Sequence, residues 1–228
     1  MMHQFLVDSL QGEHPLMDEK EILHAKNSLR IRPGEQIRIT DGEGRLAIAE
    51  FGAQLKIIKS WQVDRVKPFI HVVQALAKGD RDELAVQTAT ELGASRFTPW
   101  QAERSIVRWN AQKATKGVAR WKSIATEATK QSHQAWLPEV TDLAVDTNFP
   151  FTGQLIVLDP DAEVSLTELN FEQQLTLVIG PEGGISESEL EKLKSRGAMV
   201  ASLGNSVFRT STAAPAAIAT IRTLVGWD

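Results

Sequence analysis

The spacing of apolar residues changes near residue 68, and this change divides the chain into two parts. In the first part apolar and polar positions alternate, which is typical of strands with one buried face. Alternation predicts strands over Gln36–Thr40, Arg45–Phe51, Leu55–Ile58 and Trp61–Val66. The sequence DGEG at 41–44 predicts a hairpin turn between the first two strands, and helical spacing predicts a helix over Asp18–Leu29. We therefore predict a small β-rich domain over residues 1–67.

In the second part short apolar runs alternate with longer stretches of helical spacing. The strands are predicted over Phe69–Ala75, Phe97–Trp100, Leu155–Leu158, Leu175–Ile179 and Ala198–Leu203. The helices are predicted over Asp80–Leu92, Ala111–Ser132, Ser186–Ser195 and Thr212–Val225. Strands that alternate with helices predict an α/β domain with a mainly parallel sheet, here over residues 68–228.

Composition limits the class of protein. Of the 228 residues, 42% are hydrophobic and 24% are charged, as in an ordinary folded protein. Cysteine is absent, which excludes disulfides, thiolate metal sites and a thiol nucleophile. The first residues lack the pattern of a secretory signal, and no apolar stretch reaches the roughly 18 residues of a membrane helix. We therefore expect a cytoplasmic protein without a membrane segment.

Charge is distributed unevenly along the chain. The net charge of −4 taken alone argues against nucleic acid as a partner. Residues 26–67, however, hold nine basic and five acidic side chains. The basic ones are Lys26, Arg30, Arg32, Arg38, Arg45, Lys56, Lys59, Arg65 and Lys67. Such a segment could contact phosphates, with Arg30 and Arg32 as the candidate RNA-binding residues, or it could be a solvated β domain rich in basic side chains.

Several common site motifs are missing. The chain has neither the G-x-G-x-x-G motif of dinucleotide-binding folds nor the phosphate loop of nucleotide hydrolases. Its five histidines show no spacing that suits metal ligands, so we expect no metal site.

The most informative segment is LVIGPEGGISESELE at 177–191. A buried strand is predicted to end at Gly180-Pro181-Glu182-Gly183-Gly184, before a helix whose first residues resemble a capping box. Glycines allow the backbone to turn sharply and to approach a ligand, and α/β folds bind ligands at the carboxyl ends of parallel strands. The segment is therefore either a binding loop or a tight turn without a ligand.

A second segment has the same form. In LGNSVFRTSTAAPAAIA at 203–219 a strand is predicted to end near Gly204, and Arg209 precedes a helix start, where anions are favoured. We expect the two loops to follow adjacent strands. A third segment, Glu103-Arg104-Ser105, follows the strand predicted for 97–100, and could place Arg104 at the mouth of the same cleft or be solvated rim.

These segments, taken in order, resemble the RsmE family of 16S rRNA (uracil-N3) methyltransferases, a branch of the SPOUT superfamily. The resemblance covers nearly the whole chain. The matching stretches are HQFLVDS, RIRPGEQIRITDG, TELG, ERS, IATEATKQS, IGPEGG and LG…VFRT. Ser211 departs from the acidic residue that many relatives carry there.

The resemblance implies a PUA-like RNA-binding β-barrel over 1–67 and a SPOUT α/β trefoil-knot methyltransferase domain over 68–228. It also implies a homodimer, S-adenosylmethionine as cofactor, and 16S rRNA of the small ribosomal subunit as substrate. Transferred residue by residue, the cofactor site would comprise Leu158, Gly180, Pro181, Glu182, Gly183, Gly184, Leu203, Gly204, Val207 and Phe208. A side chain at Gly183 is expected to enter the space of the cofactor.

The implied reaction is methyl transfer to N3 of uridine 1498. Arg209 and Arg104 suit the stabilisation of a uracil oxygen that becomes negative as N3 loses its proton, whereas an arginine is a poor general base. Glu182 could accept the proton or only hold its loop. Two alternatives stay open: a related SPOUT enzyme that methylates another base, and a ribosome assembly factor without catalysis.

Overall fold

A computed structural model describes residues 2–10, 12 and 14–227. The chain forms two compact units, which are described separately. The first unit comprises the segment Met1–Arg65 together with Thr126–Leu137, and the second comprises Val66–Ala125 and Pro138–Asp228. The outer ends of the two predicted domains, Met1 and Asp228, lie outside the described residues.

The first unit is built on one four-stranded sheet. Its strands are β1 (Gln4–Leu6), β2 (Gln36–Thr40), β3 (Arg45–Glu50) and β4 (Lys56–Gln62). They lie in the order β1-β2-β3-β4, with β1 parallel to β2 and the other neighbours antiparallel. Helix α1 (Glu19–Leu23) begins after its N-cap Asp18 and continues as a π-helical turn, His24–Ser28. The core contains apolar residues from the strands and from this helical segment, including Phe5, Ile39 and Ala25.

The sequence prediction for this unit is confirmed for β2, β3 and the turn between them. It is wrong for the two strands Leu55–Ile58 and Trp61–Val66, because β4 is one continuous strand. The polar pair Lys59 and Ser60 does not interrupt β4, since this strand lies at the edge of the sheet and its residues are largely exposed. The three-residue β1 was not predicted, because so short a strand has almost no periodicity.

The second unit alternates strands and helices. Its strands are β5 (Phe69–Ala75), β6 (Arg96–Trp100), β7 (Glu139–Val140), β8 (Gln154–Leu158), β9 (Gln174–Ile179) and β10 (Met199–Ala201). Its helices are α2 (Arg81–Glu91), α3 (Ala111–Gln131, whose end belongs to the first unit), α4 (Glu187–Ser195) and α5 (Thr210–Val225). All neighbouring strands pair in parallel, in the order β10-β8-β9-β5-β6-β7. The parallel α/β sheet predicted from the sequence is confirmed.

Helices cover both faces of this sheet. One core cluster joins residues such as Ile70 and Leu177 to α2, α3 and α5, and a second joins residues such as Val73 and Val157 to α4. Because helices cover both faces, the central strands are buried at nearly every position, as is usual in parallel sheets. In the described part of the chain no helix has the length and apolar character needed to cross a membrane.

The order of the strands corrects one expectation. The two glycine-containing loops follow β9 and β10, which are not adjacent, because β8 lies between them. Strand β10 is also shorter than the stretch Ala198–Leu203 predicted for it, and β7, with two residues, was not predicted.

Candidate active site

A cleft of about 510 Å³ opens where β8 and β9 end and where α5 begins. The loops after β8 and β9 and the segment before α5 form its walls. Its lining includes Arg104, Leu158, Gly180, Pro181, Glu182, Gly183, Gly184, Leu203, Val207, Phe208 and Arg209. The structure therefore brings together residues that are far apart in the sequence. Of the predicted cofactor residues, Gly204 alone is not part of the described lining, although it belongs to the same loop.

The first loop, Gly180–Gly184, is a tight turn between β9 and α4. The N–H of Gly184 donates to the carbonyl of Pro181 at 2.9 Å, and Gly184 has a φ of 71°, which favours glycine. Helix α4 then begins with the predicted capping box, in which Ser186 and Glu189 satisfy each other's backbone N–H groups. The end of the loop is therefore fixed by the start of α4.

Arg104 lies against this loop. Its Nη1 is 3.3 Å from the carbonyl oxygen of Gly183 and 3.4 Å from that of Ile185, and it donates to both. A Cβ added to Gly183 would lie 3.2 Å from Cβ of Arg104. A side chain at Gly183 would therefore contact Arg104 directly and require it to shift. Arg104 lines the cleft and also holds the loop.

Glu182 points to the residues that precede α2. Its Oε1 accepts from the N–H of Lys78 at 3.1 Å and from Nη1 of Arg81 at 3.0 Å. Burial would raise the pKa of Glu182, but hydrogen bonds from its own N–H and that of Lys78, together with Arg81, hold this pKa below its usual value. These contacts favour an anchoring role for Glu182 over proton abstraction.

The second loop lies at the opposite wall, between β10 and α5. Val207 and Phe208 line the cleft with 80% and 39% of their surfaces exposed. Among the described residues, the backbone N–H groups from Gly204 to Phe208 find no hydrogen-bond acceptor. Exposed apolar side chains next to free main-chain donors fit a flat, heteroatom-rich group such as adenine. Arg209 follows as the exposed N-cap residue of α5.

The wall near β8 contains more residues than were predicted from the sequence. Leu158 was expected there, but Asp159, Pro160 and Asp161 line the cleft as well. Asp159 Oδ1 accepts from the N–H of Asp161 at 2.9 Å and so closes a turn. The signal was present in the sequence, because a polar turn follows a buried strand here as it does at 180.

The RNA-binding candidates Arg30 and Arg32 belong to the first unit. Both are exposed, and Arg30 has a φ of 55°. The N–H of Arg32 donates to Oε2 of Glu35 at 3.1 Å, which fixes the backbone and leaves the guanidinium in solvent. Within the described ranges no group of three or more histidine, aspartate or glutamate side chains could hold a metal ion.

Comparison with known proteins identifies the family. A family model described as an RNA methyltransferase domain matches residues 65–222, and one described as an RNA methyltransferase PUA domain matches 17–57. Ribosomal RNA small subunit methyltransferase E of Mycobacterium bovis is 37% identical, over 98% of this chain and 93% of the relative. The chain belongs to the RsmE family of RNA methyltransferases. The Bacillus subtilis member is 31% identical, over 85% of this chain and 84% of its own length.

Solved structures of the RsmE family have the same fold. The Neisseria gonorrhoeae enzyme, crystallised with bound S-adenosyl methionine, superimposes with a TM-score of 0.89 at 27% identity, and 98% of each chain is covered. The predicted fold class is thereby confirmed: a SPOUT α/β methyltransferase domain with a PUA-like domain at the N-terminus.

Proposed function

We propose that this RsmE-family enzyme methylates N3 of uridine 1498 in 16S rRNA. The chain is an rRNA methyltransferase that uses S-adenosylmethionine, in common with its full-length relatives. The observation that carries the proposal is the cleft, in which the glycine loop after β9 and the exposed apolar wall before α5 face one volume. The choice of uridine N3 follows from the family resemblance of these two loops.

The residues of the cleft fit S-adenosylmethionine. We propose that Leu203, Val207 and Phe208 cover the adenine, while the free N–H groups of Gly204–Phe208 contact its edge and Leu158 and Gly180–Gly184 close the other side. The cofactor supplies an electrophilic methyl group. The residues contribute mainly by positioning, which can be worth roughly 7–11 kcal/mol of a reaction barrier.

Arg209 is the proposed catalytic residue. It lines the cleft, its side chain is exposed, and it makes no side-chain capping bond to α5, so its guanidinium is free to reach a bound base. A uracil that loses the N3 proton gains negative charge on its carbonyl oxygens, and an arginine stabilises such charge. Arg104 would contribute its charge from the other wall while it holds Gly183.

We propose that residues 1–67 form the RNA-binding domain and residues 68–228 the methyltransferase domain. Besides Arg30 and Arg32, the first unit has a basic group around Trp61. Arg38 Cζ and Lys59 Nζ lie 5.7 and 5.9 Å from the ring centroid of Trp61. Cationic side chains next to an accessible indole can bind the phosphate and stack on the base of a single-stranded nucleotide.

We infer further that the enzyme is a homodimer. Helices α2 and α5 pack on each other, and both present exposed leucines, Leu84 and Leu224. Val225 and Trp227 are two further exposed apolar side chains at and after the end of α5. A second copy of the chain would bury these side chains, which is the common use of such surfaces.

The reaction is tested on small ribosomal subunits from a strain that lacks the gene. Incubation with the enzyme and labelled S-adenosylmethionine should place one methyl group on 16S rRNA, which nuclease digestion and mass analysis should locate at N3 of uridine 1498. A methyl group on another base would identify a related RNA methyltransferase instead. Binding to subunits without any transfer would identify an assembly factor.

The RNA surface is tested by charge reversal in the full-length enzyme. The double variant Arg30→Glu/Arg32→Glu should bind small subunits about tenfold or more weakly, with a shallower dependence of affinity on salt, because phosphate contacts are lost. Affinity for S-adenosylmethionine should not change. Lys192→Glu, an exposed reversal on α4, is the matched control. Unchanged subunit binding by the double variant would place the RNA surface elsewhere.

A further inference from the structure

A polar contact at the wall of the cleft joins Gln74, which lies behind the lining, to two lining residues, Thr210 and Gly180. Gln74 is a polar residue of β5 that is completely buried, and its neighbours along the strand are apolar. Its Nε2 donates to the hydroxyl of Thr210 at 2.7 Å and to the carbonyl of Ala75 at 3.2 Å. The Thr210 hydroxyl donates to the carbonyl of Gly180 at 2.9 Å. Each of the three residues thus belongs to a different element of the site.

The donor and the acceptor in each of these hydrogen bonds follow from the number of protons that each group carries. A hydroxyl has one proton, and the amide nitrogen of Gln74 can only donate. Thr210 therefore accepts from Gln74 and uses its own proton for Gly180. The Gln74 side chain thereby sets the orientation of the Thr210 hydroxyl, and Thr210 sets the position of the Gly180 carbonyl.

Gly180 and Thr210 of this relay flank the two proposed cofactor loops. Gly180 is the first residue of the loop after β9, and Thr210 is the first residue of α5, directly after Arg209. The strand that holds Gln74 is the neighbour of β9, where Gln74 pairs in register with Ile179. The relay therefore ties one wall of the cleft to the other from a rigid central strand.

The burial of the Gln74 side chain indicates that it does more than fill space in the core. The Oε1 of Gln74 has no hydrogen-bond partner among the described residues, which is unfavourable for a buried acceptor. A side chain needed only to fill this space could be leucine or methionine, without an unsatisfied oxygen. Burial of the unpaired Oε1 costs free energy, and the hydrogen bond to Thr210 explains why a glutamine nevertheless occupies this position.

We propose that Gln74 and Thr210 are positioning residues that hold the two loops at the spacing required for S-adenosylmethionine. The inference rests on the proposed cofactor site. Removal of the relay would leave Gly180 and its loop free to shift relative to Val207, Phe208 and Arg209. Affinity for S-adenosylmethionine should therefore fall even when the substitution is at Gln74, which lies behind the cleft lining.

The test is calorimetric binding of S-adenosylmethionine to the full-length enzyme, with thermal unfolding of each variant measured in parallel. Thr210→Val keeps the shape of the side chain but removes the hydroxyl, and should raise the Kd about tenfold or more, as expected when a buried hydrogen-bonding group loses its partner. Thr210→Ser keeps the hydroxyl and should bind within about threefold of the wild type. Gln74→Met should weaken binding to a degree similar to Thr210→Val.

A matched control separates positioning from stability. Thr176 is a completely buried threonine in β9 whose hydroxyl bonds to the carbonyl of Thr152 at 3.3 Å, away from both loops. Thr176→Val should lower the unfolding temperature but leave the Kd unchanged. The double variant Gln74→Met/Thr210→Val should bind about as weakly as either single variant, because both remove the same relay.

The outcomes are distinct. Wild-type enzyme that fails to bind S-adenosylmethionine would refute the proposed cofactor site itself. If the wild type binds, then normal binding by folded Thr210→Val would overturn the inference, as would an equal loss in Thr176→Val. If Thr210→Val does not fold, Gln74→Met decides the question by the same comparison.

Discussion

Arg209 combines an exposed guanidinium with a backbone fixed at the start of α5. Arg209→Ala should lower the single-turnover rate of methylation by roughly 10²–10³-fold, the range typical for loss of one charge-stabilising donor. Arg209→Lys should recover little, because lysine lacks the planar fork. The Kd for S-adenosylmethionine should change far less than the rate, since the relay from Gln74 to Thr210 and Gly180 does not involve the Arg209 side chain.

The control for Arg209 is Arg120→Ala, which removes an exposed arginine of α3 that pairs with Glu83. This variant should methylate at the wild-type rate. A near-normal rate for Arg209→Ala would instead move the charge-stabilising role to Arg104, on the opposite wall of the cleft.

Gly183 is a second residue whose substitution has a defined result. Gly183→Ala would place a Cβ 3.2 Å from Cβ of Arg104, a close contact that requires only a small shift. Gly183→Val adds two methyl groups and should displace Arg104 and the loop, so that the Kd for S-adenosylmethionine rises about tenfold or more in calorimetry, as steric overpacking commonly costs 1–3 kcal/mol. Gly52→Ala, where the nearest atom is 3.4 Å away, is the control. If Gly183→Val binds S-adenosylmethionine as tightly as the wild type does, the segment Gly180–Gly184 is a simple turn.

At the scale of elements, the strands of the second unit are linked by a ladder of buried polar side chains. His71 in β5 is 96% buried, its Nε2 lies 2.9 Å from Oγ1 of Thr98 in β6, and Thr98 contacts Thr141 at 2.7 Å. Burial, and secondly the charge of Arg96, lowers the pKa of His71 to about 3. The histidine is therefore neutral in the folded sheet near neutral pH.

This ladder predicts a loss of stability in mild acid. The folded pKa of His71 lies below its usual value of 6.5, so between these two pH values the unfolded chain binds more protons than the folded chain. Stability is retained above pH 6.5 and falls as the pH drops towards 3. At pH 5 the loss from this residue should be on the order of 2 kcal/mol. Urea unfolding at pH 7.5 and pH 5 would measure it.

His71→Asn should be less stable than the wild type at pH 7.5, because it disturbs the ladder, but it should lose about 2 kcal/mol less on going to pH 5. His24→Asn replaces an exposed histidine of the π-helical turn and should keep the wild-type pH dependence. Equal pH dependence in His71→Asn and the wild type would contradict the assignment.

At the scale of the whole molecule, the inferred dimer can be tested on α5. Leu224→Asp puts a charge on a side chain that is 53% exposed, so the fold of one chain should tolerate it. Light scattering after size exclusion should show twice the chain mass for the wild type and the mass of one chain for the variant. Leu16→Asp, a comparable exposed leucine of the first unit, should remain a dimer. A wild-type mass of one chain would refute the dimer.

The division of the chain also affects how the molecule can be dissected. Thr126–Leu137 belongs to the first unit, where Gln4 Nε2 donates to the carbonyl of Gln134 at 2.8 Å and Lys130 pairs with Glu21 at 2.6 Å. A fragment that begins at residue 69 would carry this segment without those partners. Binding and activity are therefore to be measured on the full chain.

The sequence by itself determined most of the longer elements and the positions of the two glycine-containing loops. Alternation predicted the bounds of β2 to the residue, a continuous apolar run predicted those of β5, and the Ser186–Glu189 box predicted the start of α4. These features depend on side chains a few residues apart, such as a cap, a turn glycine or a repeating apolar face. The two loops proposed to bind the cofactor were predicted for the same reason, since each is a short segment that contains glycine and follows a buried run.

Only the tertiary structure decided which strand ends meet. Contacts between distant segments decide that β8 lies between β9 and β10 and that Arg104 lies against Gly183. They also decide that Glu182 binds Arg81 and that Gln74 donates to Thr210. Periodicity predicts that a residue is buried but does not identify the residues that it packs against. In the same way, a single glutamine in an apolar strand does not reveal its hydrogen-bond partner. Such partners are fixed by the joint burial of apolar surface on both faces of the sheet and by the need to satisfy polar groups enclosed there.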